Sequence, residues 1–380
     1  MASSAWGSIS SDDVASDTIS IAALRVENLF VAELRLGVGR RCAASGSATG
    51  RASPPPSATG VPPAGRRRVD RTSVMRPRSL RPTMAHSAPS LDAVPSAESR
   101  VREVNGVRLH VVEAGDPDGP AVVLLHGFPD FWYGWHEQLP PLVEAGYRVV
   151  VPDQRGYNRS DKPVGVGSYT LPTLSADIAA LVRAVDRDAA HVVGHDWGGI
   201  VAWDLALRRP SVVESLATLN APHPGAFERR LRRDPGQLAR SWYAGLFQLP
   251  WLPEWALTRD DAALLAWMLK GTAAPDTFGD AELARYREAW TRERAVASMV
   301  NWYRAFPRSP RPTGRASPPT LVCWGERDPA LRPRLARESV DRCADGRLRR
   351  FPDASHWVHR DRPDEVNAAL LDHLHREREE

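Results

Sequence analysis

From Val101 onward the chain alternates between two patterns. Short, almost wholly apolar runs at Ala121 to Leu125, Tyr147 to Val151 and Ala190 to Gly194 are separated by stretches with apolar residues every three or four positions. Such runs suit strands buried on both faces of a parallel sheet, and the longer period suits helices packed over it. The strand pattern recurs at 213–219, 320–324 and, more weakly, 347–351. Arg102-Glu103-Val104 and Val107 to Glu113 flank Asn105-Gly106, a pair suited to the positive φ of a tight hairpin turn. Leu174 to Val185 reads as a helix with Thr173 as its N-cap and Asp177 in its first turns. The prediction is an α/β fold, a mostly parallel sheet wrapped by helices.

Two segments break the alternation. Residues 1–98 are dominated from Gly39 onward by Ala, Ser, Pro, Gly and Arg, with Pro54-Pro55-Pro56 and Arg66-Arg67-Arg68. A segment that buries so little cannot offset its ordering entropy, so it is expected to be a disordered leader, with a natural start near Met84 as the favoured explanation. Between Pro222 and Pro312 the strand signals stop and six of the thirteen tryptophans appear. Residues 223–312 are therefore expected to form a helical lid inserted into a core of 99–222 and 313–380.

At 380 residues and 42% hydrophobic, the chain can bury a large core. Its net charge of +4 misleads: residues 1–100 carry 13 Arg and 8 acidic residues, whereas the rest holds 37 basic and 38 acidic. Nucleic-acid binding is thus not indicated for the core. Cys42, Cys323 and Cys343 show no metal spacing or evident pairing, which fits a reduced, cytoplasmic setting. No run approaches a membrane span.

The chemistry begins at Gly194-His195-Asp196-Trp197-Gly198-Gly199, between a strand pattern and a helix pattern. Small residues two before, two after and three after Asp196 make this a nucleophile elbow, with aspartate where an esterase has serine. A carboxylate can displace a leaving group from an sp3 carbon, giving an alkyl ester that water then cleaves at the side-chain carbonyl. A helix-capping Asp is the plainer alternative. The acid partner is expected to be Asp328, directly after the 320–324 strand, and the base His356, just after the last strand. Nucleophile, acid and histidine in that order is the α/β-hydrolase arrangement. Glu326 is the rival acid; His359 is the rival base and is expected at the surface. The backbone N–H groups of Phe128 and Trp197 would form the oxyanion hole. Phe128-Pro129 is a candidate cis peptide.

His126-Gly127-Phe128-Pro129-Asp130-Phe131-Trp132, Asp153 to Pro163 and the Asp196 elbow together resemble the α/β-hydrolase-fold epoxide hydrolases over roughly residues 101–375. The resemblance implies an eight-stranded sheet and two lid tyrosines that hold and protonate the epoxide oxygen. Tyr243, in Ser241-Trp242-Tyr243-Ala244, and Tyr303, in Asn301-Trp302-Tyr303-Arg304, match those positions. Asn158 departs from a frequent glycine, but both accept positive φ. A ring-opening epoxide leaves an alkoxide that needs a proton, which a phenol in a dry pocket can supply. Phe131, Trp132, Phe247, Leu249 and Trp302, with the lid tryptophans, are expected to line an apolar cavity for a lipophilic epoxide, with water as co-substrate and neither metal nor organic cofactor. Detoxification, catabolism and lipid-signal turnover all use such chemistry. A haloalkane dehalogenase would share the Asp and His steps but lacks a need for the tyrosines; a non-catalytic binder of hydrophobic ligands would not need the triad.

Overall fold

The computed structural model describes residues 97–379, with side chains to 376; the expectation of a disordered leader falls outside these residues. Eight strands form one sheet: β1 Glu98–Val104, β2 Val107–Ala114, β3 Ala121–Leu125, β4 Arg148–Pro152, β5 Ala190–His195, β6 Val213–Leu219, β7 Thr320–Gly325 and β8 Gly346–Phe351. Their order is β1-β2-β4-β3-β5-β6-β7-β8. The β1–β2 and β2–β4 pairings are antiparallel, and all others are parallel. Asn105 and Gly106 take φ of 45° and 74°, as the hairpin turn between β1 and β2 requires. The central strands β3, β4 and β5 are buried at every residue because helices cover both faces.

The core helices are α1 Leu139–Glu144, α2 Leu171–Ala184 and α3 Trp197–Arg208. The predicted start of α2 is corrected by three residues: Thr170, not Thr173, is the N-cap, and Pro172 occupies the first turn, where its missing N–H costs nothing. Thr173 instead bonds the Thr170 hydroxyl at 2.8 Å, and Asp177 lies farther along, paired with Arg155 at 2.7 Å.

Between β6 and β7 the chain is helical: α4 Pro224–Arg233, α5 Pro235–Arg240, α6 Trp242–Leu246, α7 Leu252–Thr258, α8 Ala263–Gly271, α9 Asp280–Trp290 and α10 Ala295–Ala305. This insertion is pinned over the C-terminal ends of β3 and β4 by side-chain hydrogen bonds. Tyr286 donates to Asp130 at 2.9 Å, Trp290 to the Pro129 carbonyl at 2.5 Å and Trp302 to the Arg155 carbonyl at 3.0 Å. After β7 come α11 Arg334–Val340, then α12 Val358–Asp361 and α13 Pro363–Glu379, which close the fold.

Candidate active site

Asp196 stands at the turn from β5 to α3 with φ 49° and ψ −121°, a conformation a non-glycine residue adopts only when its surroundings enforce it. The glycines make that turn possible. A Cβ on Gly198 would lie 2.1 Å from the Leu125 carbonyl oxygen, so only glycine lets α3 sit this close to β3. Gly127 plays the same part opposite, where a Cβ would fall 2.4 Å from that of Asp196. The Asp196 side chain makes no capping bond to α3, which removes the helix-cap explanation. Its Oδ1 instead accepts the Phe128 N–H at 2.8 Å. The Phe128-Pro129 peptide is cis.

His356 and Asp328 meet Asp196 from the ends of β8 and β7. His356 Nδ1 lies 2.7 Å from Asp328 Oδ2, and its Nε2 lies 3.6 Å from Asp196 Oδ2. Asp328 is held in turn by the N–H groups of Ala330 and Leu331 at 2.7 and 2.9 Å and by Asn220 Nδ2 at 2.8 Å. Burial opposes charge on His356, but the carboxylates of Asp328 and Asp196 outweigh it and push its pKa up to about 10. Burial likewise works against Asp196, yet the hydrogen bond and charge of His356 hold its carboxyl below the ordinary range.

Facing Asp196, the rings of Tyr243 and Tyr303 lie 5.9 Å apart. Tyr303 also packs edge-on against Phe128 at 5.2 Å, Trp197 at 4.9 Å and Phe247 at 4.9 Å. Tyr303 lies on the buried face of α10 with Val296, Met299 and Val300. Two crossing hydrogen bonds clamp the tyrosine-bearing segments together: Gln248 to the Tyr303 carbonyl at 2.9 Å and Arg304 to the Phe247 carbonyl at 3.0 Å. Burial, then the nearby Asp196 charge, raises the Tyr243 phenol; for Tyr303, burial is again the main cause, reinforced by Tyr243 and Asp196. Both phenols therefore keep their protons at neutral pH.

Several expectations need correcting. His359 is wholly buried, not at the surface, and its ring packs 4.5 Å from that of His195. Leu249 does not line the site: its side chain is 43% exposed, and its carbonyl accepts from Arg304. The six lid tryptophans do not wall a common cavity, since Trp242, Trp251 and Trp267 are exposed and only Trp290 and Trp302 are buried. Phe131 and Trp132 pack with Tyr133, and Phe131 with Tyr286, beneath the lid. Trp302 reaches Trp197 at 5.9 Å. Glu326, the rival acid, pairs with Arg350. Asn220, which orients Asp328, was missed; its position directly after β6, beside the strand that leads to Asp328, was the available signal. Asn158 has φ 37° and bridges Asp153 and Arg292 at 2.8 Å each.

An elbow carboxylate beside a buried His–Asp pair at the C-terminal ends of this sheet is the arrangement of an α/β-hydrolase-fold enzyme. The alpha/beta hydrolase fold family matches residues 120–363. AB hydrolase superfamily protein YfhM of Bacillus subtilis (strain 168) is 44% identical over 273 residues, spanning 71% of this chain and 95% of that protein. Epoxide hydrolase 1 of Caenorhabditis elegans is 34% identical over 286 residues, spanning 73% and 70%. Among solved structures, Bacillus megaterium epoxide hydrolase in complex with an inhibitor matches at a TM-score of 0.68 and 28% identity, covering 73% of this chain and 100% of that one. The chain belongs to the α/β-hydrolase-fold epoxide hydrolase family, and it is an enzyme that hydrolyses epoxides. Among the described residues no helix is long and apolar enough to cross a membrane.

Proposed function

We propose that Asp196 is the nucleophile, Tyr243 and Tyr303 the acids, and His356 with Asp328 the water-activating pair. The observation that carries this reading is His356 held between the Asp328 and Asp196 carboxylates at the elbow. Because Oδ1 of Asp196 is engaged by Phe128, Oδ2 is the free oxygen for attack. It bonds to an epoxide carbon, the ring C–O bond breaks, and the departing oxygen takes a proton from a phenol. Esterification removes the Asp196 charge that helped keep His356 protonated. Its released proton makes good the phenol's loss, and the neutral imidazole becomes a base at the moment one is needed. Water then gives a proton to His356 Nε2 as its oxygen adds to Cγ of Asp196. The oxyanion falls to the Phe128 N–H, joined by that of Trp197 at the start of α3. Collapse releases the diol, with the proton returned by His356.

The aromatic wall of Phe128, Phe247, Trp302 and the two tyrosines suits a lipophilic epoxide. The two buried, unpaired cysteines, Cys323 and Cys343, support a cytoplasmic setting, which cell fractionation tests. The catalytic assignment is tested by a single turnover in 18O-labelled water. The label should enter the Asp196 carboxylate rather than the diol, read by peptide mass. Label found only in the diol would mean that water attacks the epoxide directly.

A further inference from the structure

Behind the nucleophile, Asp130, His195 and His359 form a buried cluster that the reaction above does not use. Asp130 Oδ2, His195 Nδ1 and both ring nitrogens of His359 are buried without a hydrogen-bond partner, although each belongs to a group that needs one. His195 Nε2 lies 3.0 Å from the His356 carbonyl, which only accepts, so Nε2 carries the hydrogen. Burial keeps His195 neutral, leaving Nδ1 as a lone pair that requires a donor. His359 is neutral for the same cause and offers one N–H. Asp130 Oδ1 already accepts from Tyr286 of α9 and from the Phe131 N–H, so Oδ2 is the oxygen left over.

We propose that these three side chains hold one buried water, which links the lid to the catalytic histidine through Tyr286, Asp130, His195 and the His356 carbonyl. One such water donates to His195 Nδ1 and to Asp130 Oδ2 and accepts from the His359 N–H, the threefold bonding usual for an internal water. The spacing agrees. One polar atom from each residue lies within 4.8 Å of the others, and the centre of the widest such triangle is about 2.8 Å from each corner, a hydrogen-bond length. A divalent transition metal would need contacts of roughly 2.1 Å and would add positive charge beside Arg360, whose guanidinium already disfavours charge on His359. His359 is accordingly a positioning residue: it fixes the water, the water fixes His195, and His195 fixes the backbone of His356. Asp196 keeps its own anchor at the Phe128 N–H, and substitutions at His359 leave the charge of His356 beside it in place, so alkylation is expected to proceed unaltered.

The inference rests on His356 as the base, and single-turnover kinetics with styrene oxide separate the two ideas. His359→Gln keeps a donor; His359→Leu does not. Both should form the Asp196 ester at the wild-type rate. The Leu variant should hydrolyse it roughly tenfold more slowly, and Gln should restore hydrolysis. Wild-type hydrolysis in the Leu variant, or no rescue by Gln, overturns the proposal. A high-resolution crystal structure of the wild-type chain decides independently, even if the Leu variant does not fold. One water bonded to Asp130, His195 and His359 supports the proposal; no water there, or an anomalous metal peak, overturns it. Absence of any Asp196 ester in a His356→Gln enzyme would instead overturn the reading of the site itself.

Discussion

The Nδ1 of His356 lies 2.7 Å from Oδ2 of Asp328, which leaves Nε2 as the nitrogen that faces Asp196. Asp328 thereby fixes both the tautomer and the aim of the imidazole. Asp328→Asn should keep the first chemical step and lose most of the second, with turnover falling about 10³- to 10⁴-fold. The Asp196 ester should accumulate and be visible by peptide mass. Equal slowing of ester formation would mean that Asp328 serves alkylation too.

The two carboxylates around His356 also set its titration. With both charged, the imidazole holds its proton up to about pH 10, above the ordinary value near 6.5. Asp196→Asn removes one charge while keeping the shape, so the His356 pKa should fall; imidazole NMR reads the shift. The same fall in the ester intermediate would free the base at neutral pH, so ester hydrolysis should gain rate as pH rises through a value lower than that of the free enzyme. An unchanged titration in Asp196→Asn would sink this account of how the base is released.

Tyr243 and Tyr303 stand 5.9 Å apart, so either can reach an oxygen between them. Each single Phe substitution should slow ester formation while sparing its hydrolysis, and the double substitution should cost at least about 10²-fold. Stopped-flow tryptophan fluorescence is suited to this measurement because Trp197 directly follows Asp196. If both single variants matched the wild type, the tyrosines would be packing residues only.

Much of this was legible in the sequence because strong local rules governed it. The apolar runs marked the strands, and the glycines around Asp196 had no other use than close packing. His359 misled because a histidine in the segment after the last strand, three residues past His356, carries no local sign of burial; Trp135 and His195, far away in the chain, enclose it. Leu249 and the lid tryptophans misled for the converse reason. The short helices α6 to α8 leave some large side chains outside, and composition does not reveal which side faces in. The α2 start was missed because Pro172 permits an earlier first turn than Thr173 suggested.

Gly198 offers a stability test separate from the chemistry. With the Leu125 carbonyl oxygen 2.1 Å from where a Cβ would stand, Gly198→Ala must push α3 off β3 or distort the elbow. A cost of about 3 kcal/mol is expected. Denaturant unfolding should show a lower midpoint at an unchanged slope, which marks lost stability rather than an altered unfolded state. A wild-type midpoint would mean that the elbow has room the packing denies.

Leaving-group preference follows from what surrounds Asp196. A halide departs without a proton but must be held by converging N–H donors, whereas an epoxide oxygen remains attached and needs a proton. Position 128 presents a phenyl ring to the pocket and spends its backbone N–H on Asp196 Oδ1. Opposite stand two phenols that burial keeps protonated. Styrene oxide should therefore give its diol, while 1-bromobutane should release bromide no faster than an Asp196→Ala control. Converting Phe128 to Trp would supply an indole N–H and should raise bromide release from that baseline if donor supply is the limit. Bromide release by the unmodified enzyme at a rate comparable to diol formation would show that the phenols do not decide the chemistry.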